Sequence, residues 1–414
     1  MKLRYSKYQS GEQLFFVMFY LLVFQNPLTA YVSGVFAYVD EIFALLGLLI
    51  PAAILLGSGK LTVRRGTVKI GVALLLFVLF GLLGNLLFRY QPIDLVLKDL
   101  YANLKFFFSV AEGFYLIRYT RPAKERLLLH IKICVILLFL LLSADAAFGF
   151  LPDGGYRYGL RVRKLIFGHV TYLAGTCVFL LALLLIHFDK KNIIFAAMGL
   201  LVLASTLRGK ALAGAAVYVI VAYFVIIRQQ KFRFWHILAI GAVSFWIAWD
   251  QVRFYYIELA GQSARSVLTQ TAIRIMADYF PIGTGFGTYA SAVAAAHYSQ
   301  VYVNYGFLHL FELRQGSAYL SDTFWPIIWA QAGFAGTVCY LAALIQLLRR
   351  LLQVRFFNRG AYGAVWFVVI YLLISSTSEP TFCNSVSIPL AMTLGYILAL
   401  AEDGERGRKC DENQ

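Results

Sequence analysis

The chain has 414 residues, of which 60% are hydrophobic and only 14% are charged. A soluble domain of this length could not cover so much apolar surface with polar groups, so the composition excludes an ordinary globular protein. The formal net charge is +16, but the basic residues lie mostly between apolar stretches, which argues against binding to nucleic acid.

Apolar stretches long enough to cross a bilayer recur along the chain, since a hydrocarbon core requires about 20 apolar residues per helix. The pattern predicts an all-α integral membrane protein with about twelve transmembrane helices. The first stretch, from Leu14 onward, has no small-residue cleavage site, so no cleavable signal peptide is expected. The predicted spans are 14–34, 40–57, 68–88, 103–118, 129–150, 168–187, 192–207, 211–228, 235–250, 323–348, 361–378 and 385–402.

The positions of the basic residues predict the orientation of these spans. If the N-terminus is cytoplasmic, every cytoplasmic segment carries Lys or Arg, and most of the 37 basic residues lie on that side. The positive-inside rule therefore predicts that both termini are cytoplasmic. Most of the net charge then serves orientation and contact with anionic headgroups.

The spans divide the chain into parts with different expected roles. Residues 1–250 hold predicted helices 1–9, and residues 323–402 hold helices 10–12. Residues 251–322 form a large extracytoplasmic loop between helices 9 and 10, and 403–414 form a cytoplasmic tail. Because loops usually carry chemistry and scaffolds carry packing, the long loop is where function is expected. The five cysteines form no CxxC pair, so neither a disulfide framework nor a metal site is predicted.

The basic residues on the outer side need a reason other than topology. They lie mainly in the loop before helix 6, in the short connection between helices 7 and 8, and in the long loop. They are Arg89, Lys98, Lys105, Arg157, Arg161, Arg163, Lys164, Arg208, Lys210, Arg253, Arg265, Arg274 and Arg314.

Arg208 is the most informative of these residues, because it lies at the junction of two apolar helices with almost no loop around it. A charge near membrane depth is costly unless it is paired or solvated. Two interpretations stay open: an interfacial arginine that reaches toward the headgroups, or an arginine that binds an anion in a polar cavity. Arginine suits phosphate because its planar group donates paired hydrogen bonds and stays charged.

The middle of the long loop contains the turn 281–287, in which Gly283, Gly285 and Gly287 permit close approach of the backbone. It follows an apolar segment, Ile273–Phe280, that is typical of a short interfacial helix. Two interpretations stay open: a turn that only shapes the loop, and a turn that brings backbone close to a ligand. No strand precedes the glycines, so they are not a dinucleotide-binding fingerprint.

Asp322 lies directly before the tenth predicted span, beside Thr323. Gly333 and Gly336 follow in that span, and small residues at this spacing let helices approach closely in lipid. Two roles for Asp322 stay open. It is either an N-cap that accepts hydrogen bonds from the first helical turn or a catalytic base that takes a proton from a substrate.

The order and spacing of these residues resemble the O-antigen polymerase and ligase superfamily of multispanning bacterial glycosyltransferases. The resemblance covers residues 157–340 and implies a GT-C-like fold. It is carried by Arg274-x10-Gly285, by Asp322-Thr323-x9-Gly333-x2-Gly336-Thr337, by the segment Arg161–Gly168 and by Thr206-Leu207-Arg208-Gly209.

Within this superfamily the chain departs from the ligases of the WaaL type, which join O-antigen to the lipid A-core. Those ligases carry a histidine, followed by Asn, Ser or Gln, where this chain has Asp322 and Thr323. His297 and His309 lie upstream and do not fit the spacing. The departure favours a polymerase of the Wzy type.

The resemblance implies an enzyme of the bacterial plasma membrane that polymerises lipid-linked oligosaccharide repeat units. An acceptor sugar hydroxyl attacks the anomeric carbon of a glycan carried by undecaprenyl pyrophosphate on the outer face, and the lipid pyrophosphate leaves. A chain-length regulator of the Wzz type is an expected partner. No DxD-like carboxylate pair faces outward, so neither a metal nor another cofactor is expected.

The resemblance and the charge pattern together suggest residue roles. Arg208 and Arg274 are expected to bind the pyrophosphate, because preorganised arginines stabilise charge that grows in the transition state. Asp322 is the candidate general base. Glu379 and Asn384, between the last two spans, are minor polar candidates. The expected substrate-binding residues are Arg161, Arg163, Arg265, Lys210 and Gly285.

Other functions stay open. A ligase-type enzyme would transfer the glycan to a different acceptor. A transporter or flippase for lipid-linked sugars would often show inverted repeats and ionisable residues at mid-membrane. No repeat is evident between the two halves, and the polar residues gather at the outer ends of the spans.

Overall fold

The computed structural model describes residues 2–58, 64–230 and 263–411, together with single positions between 231 and 262. Apart from one two-stranded hairpin, the regular structure in these ranges is helical. The helices are α1 Lys2–Tyr31, α2 Val39–Ser58, α3 Arg65–Phe88, α4 Ile93–Thr120, α5 Lys124–Phe148, α6 Val170–Ile186, α7 Ile193–Ser205, α8 Gly209–Val221, α9 Ala264–Asp278, α10 Ala292–Ala296, α11 Gln300–Asn304, α12 Trp325–Leu351, α13 Arg359–Ser376 and α14 Ser387–Asp411. The hairpin joins β1 Asp153–Arg157 to β2 Leu160–Arg163 in antiparallel register.

Every predicted span except 235–250 coincides with a helix, and that span lies mostly outside the described residues. By length and composition, seven described helices could each cross a bilayer. The protein is therefore mainly α-helical and multi-pass. The seven are Gly11–Tyr31, Gly34–Ile54, Arg65–Phe88, Lys124–Phe148, Gly209–Ile227, Trp325–Phe356 and Arg359–Ser376.

Helix α3 shows why such a helix suits lipid. Its exposed leucines Leu75, Leu79, Leu83 and Leu86 recur at the spacing of one helical face. The opposite face packs against α12, and Phe77 is buried there, against the ring of Tyr340.

Helix α4 lies at the centre of the bundle, between α2 and α14. Small residues allow this, because a Cβ on Gly47 would overlap the backbone of Phe108, and one on Gly113 would overlap Met392. The same helix buries Asp99 and Lys105. Polar side chains are therefore present inside an otherwise apolar bundle.

Helix α12 is broken at Gly333, whose backbone angles are φ 64° and ψ −163°. A broken helix frees carbonyl and amide groups that must find other partners in an apolar setting. The turn 281–287 supplies them: the amides of Thr284 and Gly285 donate to the carbonyls of Ala330 and Gln331, each at 2.9 Å. We call this insertion of turn 281–287 into the break the α12 joint.

The glycines of the α12 joint are required by packing. Gly285 has φ +97°, and a Cβ there would overlap both the side chain and the backbone nitrogen of Asn85 in α3. A Cβ on Gly333 would overlap the backbone of Ile282. The structure thus buries Gly285, a predicted substrate-binding residue, in a backbone joint where it shapes the loop. The small residue Gly333 likewise permits a close approach of α12 to the turn 281–287.

An ion-pair network links helices at the end of the bundle where α4 and α12 terminate. Glu402 in α14 accepts from Arg64, Arg118 and Arg350 at 3.3, 3.1 and 2.9 Å. Arg64 precedes α3, while Arg118 and Arg350 lie near the C-terminal ends of α4 and α12. The network therefore ties α14 to three other helices at this end.

Candidate anion-binding site

Charged residues from separate segments meet at the end of the bundle opposite to Glu402. Arg208 and Lys210 come from the start of α8, Arg265 from the first turn of α9, Asp322 from the segment before α12, and Glu379 from the segment between α13 and α14. We call these five residues the cationic cluster. The sequence predicts four of the five as site residues. The structure brings all five together from segments that are distant in sequence.

The connection between α7 and α8 fixes the position of Arg208. Helix α7 ends at Ser205 and α8 begins at Gly209, so almost no loop is available. Leu207 turns the chain with a left-handed φ of 48°, and the buried Thr206 hydroxyl donates to the carbonyl of Leu203 at 2.7 Å. The guanidinium of Arg208 is therefore held at the helix junction and is only partly exposed.

Lys210 is buried in the first turn of α8 and forms an ion pair with Glu379. The hydroxyl of Thr171, at the start of α6, donates to the same carboxylate at 2.7 Å. A buried ammonium needs such a partner, because an unpaired charge there would be costly. Glu379, a minor candidate in the sequence, is thus the main counterion of Lys210.

Arg265 and Asp322 form a second ion pair. The Nε and Nη2 groups of Arg265 donate to the same oxygen, Oδ2 of Asp322, at 2.8 and 2.6 Å. These bonds leave Oδ1 outside the pair. Burial raises the pKa of the Asp322 carboxyl above its ordinary value, although the charge and hydrogen bond of Arg265 lower it.

The alternative role of Asp322 as a helix cap is wrong. The N-cap position of α12 is Phe324, and no side chain caps that end of the helix. Asp322 instead ends the short 3-10 turn Ala318–Ser321 and turns its carboxylate toward Arg265. Its side chain is therefore available to the site.

His169 is a site residue that the sequence gave little reason to select. Its Nδ1 lies 3.3 Å from the amide nitrogen of Thr171. Its Nε2 lies 3.0 Å from Nη2 of Arg208 and accepts that hydrogen bond, because a guanidinium can only donate. Partial burial and the charge of Arg208 lower the pKa of His169 and keep the ring neutral. His169 is therefore a neutral hydrogen-bond partner of Arg208 and does not offset its positive charge.

Arg208 also has a donor that no group among the described residues satisfies. Its Nε atom is buried and has no hydrogen-bond partner. Burial, followed by the charges of Arg157 and Arg265, lowers the pKa of its guanidinium. Arg157 thus adds another positive charge beside the cluster. A site with this excess of buried donors and positive charge is suited to bind an anion, and phosphate oxygens fit arginine best.

The hairpin arginines have carboxylate partners of their own. Nε of Arg161 donates to Asp153 at 3.0 Å, and Arg163 forms an ion pair with the buried Asp145 of α5. The first bond lies within the hairpin, and the second holds the hairpin onto the end of α5. In the structure the two predicted substrate-binding residues Arg161 and Arg163 are therefore paired with carboxylates of the protein.

Arg274 lies on the same helix as Arg265 but away from the cluster. It follows Arg265 by about two and a half helical turns, which places it on the opposite face and roughly 14 Å further along the axis. Its side chain is exposed. The structure does not bring this predicted catalytic residue to the site.

Within the part of the chain that the structure describes, no group of three or more His, Cys, Asp or Glu residues could hold a metal ion. Asp322 and Glu379, the carboxylates of the cluster, are each paired with a basic residue. No protein-family model matches the chain, and comparison with curated proteins gave no match.

Proposed function

We propose that the protein is a glycosyltransferase that polymerises oligosaccharide repeat units carried by undecaprenyl pyrophosphate. In this proposal the chain has twelve transmembrane helices with both termini cytoplasmic, and the cationic cluster lies at the outer face of a bacterial plasma membrane. The cluster binds the pyrophosphate of the donor. The observation that carries the proposal is the buried Nε of Arg208, which has no acceptor in the part of the chain that the structure describes, although it lies among other cations.

The reaction assigns distinct tasks to the residues of the cluster. The acceptor sugar hydroxyl attacks the anomeric carbon of the donor glycan and forms the new glycosidic bond. The bond from that carbon to the pyrophosphate oxygen breaks, and undecaprenyl pyrophosphate leaves with the electron pair. Arg208, Lys210 and Arg265 stabilise the negative charge that grows on the leaving group, with one good contact contributing on the order of 3 kcal/mol.

Asp322 is the base in this mechanism. Its Oδ1 lies outside the pair with Arg265 and takes the proton of the attacking hydroxyl. The bonds from Arg265 to Oδ2 orient the carboxylate, and a general base must lie within hydrogen-bond reach of the proton that it removes. One arginine thus contacts both the base and the leaving-group site.

Deletion of the gene tests the proposal in the source organism. A polymerase predicts that the deletion strain makes surface glycan of a single repeat unit and that the wild-type gene restores a ladder of longer chains. The Arg208→Ala variant should not restore the ladder, although it reaches the membrane. Loss of attachment to a lipid core with an intact ladder of lipid-linked chains would indicate a ligase. Unchanged glycan in the deletion strain would overturn the proposal.

A further inference from the structure

A polar cavity of about 360 Å³ opens at the same end of the bundle as the cationic cluster. It lies between the facing ends of α1, α2 and α4, the start of α6 and the segment between α13 and α14. Its volume falls within the roughly 300–1,000 Å³ that small-molecule sites occupy. The residues of its lining that carry the argument are Asp40, Glu41, Asp99, Lys105, Tyr172 and Asn384.

The cavity adjoins the cluster through two segments of the chain. Tyr172 lines the cavity and directly follows Thr171, whose hydroxyl donates to Glu379 of the cluster. Pro380 and Asn384 also line the cavity and belong to the same connection as Glu379. The cavity and the cluster therefore share the start of α6 and the segment before α14.

The wall of the cavity is held in place by internal hydrogen bonds. The ammonium of Lys105 lies 2.6 Å from Asp40 and 3.2 Å from Glu41. The side-chain amide of Gln25 donates to the other oxygen of Asp40 at 2.7 Å. Asp99 accepts from the amide of Gly287 at 2.8 Å, which connects the wall to the α12 joint. A preorganised wall of this kind favours binding because little ordering remains to be done.

Two residues of this wall carry acceptors that no described residue satisfies. Oε2 of Glu41 and Oδ1 of Asn384 are buried and have no hydrogen-bond partner there. A buried acceptor without a donor is costly, so such atoms call for an explanation in a native protein. A ligand that presents hydroxyl or amide N–H groups would satisfy both.

Charge separates the ligand of the cavity from the ligand of the cluster. The carboxylates Asp40, Glu41 and Asp99 line the cavity together with the basic Lys105. The formal charge of these residues is therefore negative, whereas that of the cluster is positive. An anion is therefore favoured at the cluster and a neutral group rich in hydrogen-bond donors at the cavity. Sugars have this chemistry.

We infer that the polar cavity binds a sugar ring of the glycan whose pyrophosphate is held by the cationic cluster, with its hydroxyl groups donating to Glu41 and Asn384. This inference rests on the proposed function, because it divides one lipid-linked glycan between two adjoining sites. It adds a glycan-binding role for residues of α2 and of the segment before α14.

The test compares two lipids on the purified full chain in lipid nanodiscs. One is bare undecaprenyl pyrophosphate, and the other is the lipid-linked repeat unit extracted from the gene-deletion strain. The wild-type protein should bind the glycan-bearing lipid more tightly than the bare lipid. Asn384→Leu should weaken binding of the glycan-bearing lipid roughly tenfold and leave the bare lipid unaffected, since one acceptor of the sugar is lost.

Further variants separate this role from a folding defect. Because Oδ1 of Asn384 has no partner within the described ranges, Asn384→Leu breaks no bond that the structure shows for that oxygen. Glu41→Gln, which keeps the size of the side chain, should show a smaller loss in the same direction. Asn304→Leu is the matched control, because Asn304 is exposed and does not line the cavity.

The outcomes distinguish the inference from the function on which it rests. If the wild-type protein binds both lipids equally, or if Asn384→Leu and Glu41→Gln bind the glycan-bearing lipid as tightly as the wild type, the cavity is not a sugar site. The proposed function then stands. If the wild-type protein binds neither lipid, the proposed function fails and the inference fails with it.

Discussion

The hairpin and the α12 joint lie at the same end of the bundle as the cationic cluster. They differ from Arg208 of the cluster in whether their polar groups have partners. In the hairpin, Arg161 and Arg163 meet carboxylates, and in the α12 joint the freed carbonyls of α12 meet amides of the turn 281–287. In the cationic cluster, Nε of Arg208 is buried without an acceptor among the described residues, while Nη2 of the same guanidinium donates to the neutral ring of His169.

The difference separates scaffold from site. Residue type alone would assign all of these arginines to ligand binding. A buried polar group normally has a partner in the folded protein, so a group that lacks one points to a ligand. The polar groups of the hairpin and the α12 joint are therefore satisfied within the protein, and the cluster is the proposed anion site.

The largest expected effect is on turnover. Asp322→Asn removes the base and keeps the shape of the side chain, so the rate of glycan elongation should fall about 100-fold or more. The variant should reach the membrane at the wild-type level. Asp94→Asn is the matched control, because Asp94 is an exposed carboxylate outside the cluster. Elongation at the wild-type rate in Asp322→Asn would remove Asp322 from the mechanism.

The second effect concerns folding at the α12 joint. Gly285→Ala adds a methyl group that overlaps Asn85 at a backbone φ of +97°, so the variant should lose stability by clearly more than the roughly 1–2 kcal/mol of left-handed strain. Gly306 has a φ of +76° but open space around it. Gly306→Ala should therefore lose only the strain. Thermal unfolding in detergent measures both, and equal losses would contradict the packing role of Gly285.

The third effect is a shift of the pH profile. Asp322 must be ionised to act as a base, and burial raises its pKa. Elongation should therefore be lost on acidification at a higher pH than for an exposed aspartate. Arg265→Gln removes the charge that lowers this pKa. The acid limb of the pH profile, where elongation is lost on acidification, should therefore move to still higher pH. Arg274→Gln should leave the limb in place. An acid limb that stays unchanged in Arg265→Gln would show that another group titrates.

The smallest expected effect on ligand binding comes from the hairpin. Arg163→Gln breaks the ion pair with the buried Asp145 and should lower the unfolding temperature, because a buried carboxylate then lacks its partner. Its affinity for undecaprenyl pyrophosphate should change less than about twofold, since the guanidinium is held by Asp145. An affinity loss as large as that of Arg208→Ala would place the hairpin in the anion site.

Hydropathy predicts most of the helices because each one needs its own long apolar stretch, and the short connection before Arg208 is visible in the same pattern. The pairing of Lys210 with Glu379, the role of His169 and the insertion of the turn 281–287 into α12 depend on contacts between distant parts of the chain. Hydropathy cannot show them.

The case of Arg274 differs, because it follows from one helix boundary. The sequence predicts an apolar helix only from Ile273 onward, whereas α9 begins at Ala264. With the longer helix, the spacing between Arg265 and Arg274 already places them on opposite faces. The polar character of the first turns of α9 hid this relation.

Direct binding of labelled undecaprenyl pyrophosphate to the purified protein in nanodiscs tests the central claim most directly. Arg208→Ala should weaken binding about tenfold or more, because a charge-assisted hydrogen bond is lost. Arg274→Ala should bind within about twofold of the wild type, since a surface substitution away from the cluster has little effect. Binding at the wild-type affinity by Arg208→Ala, or equal losses in the two variants, would contradict the assignment of the cationic cluster as the anion site.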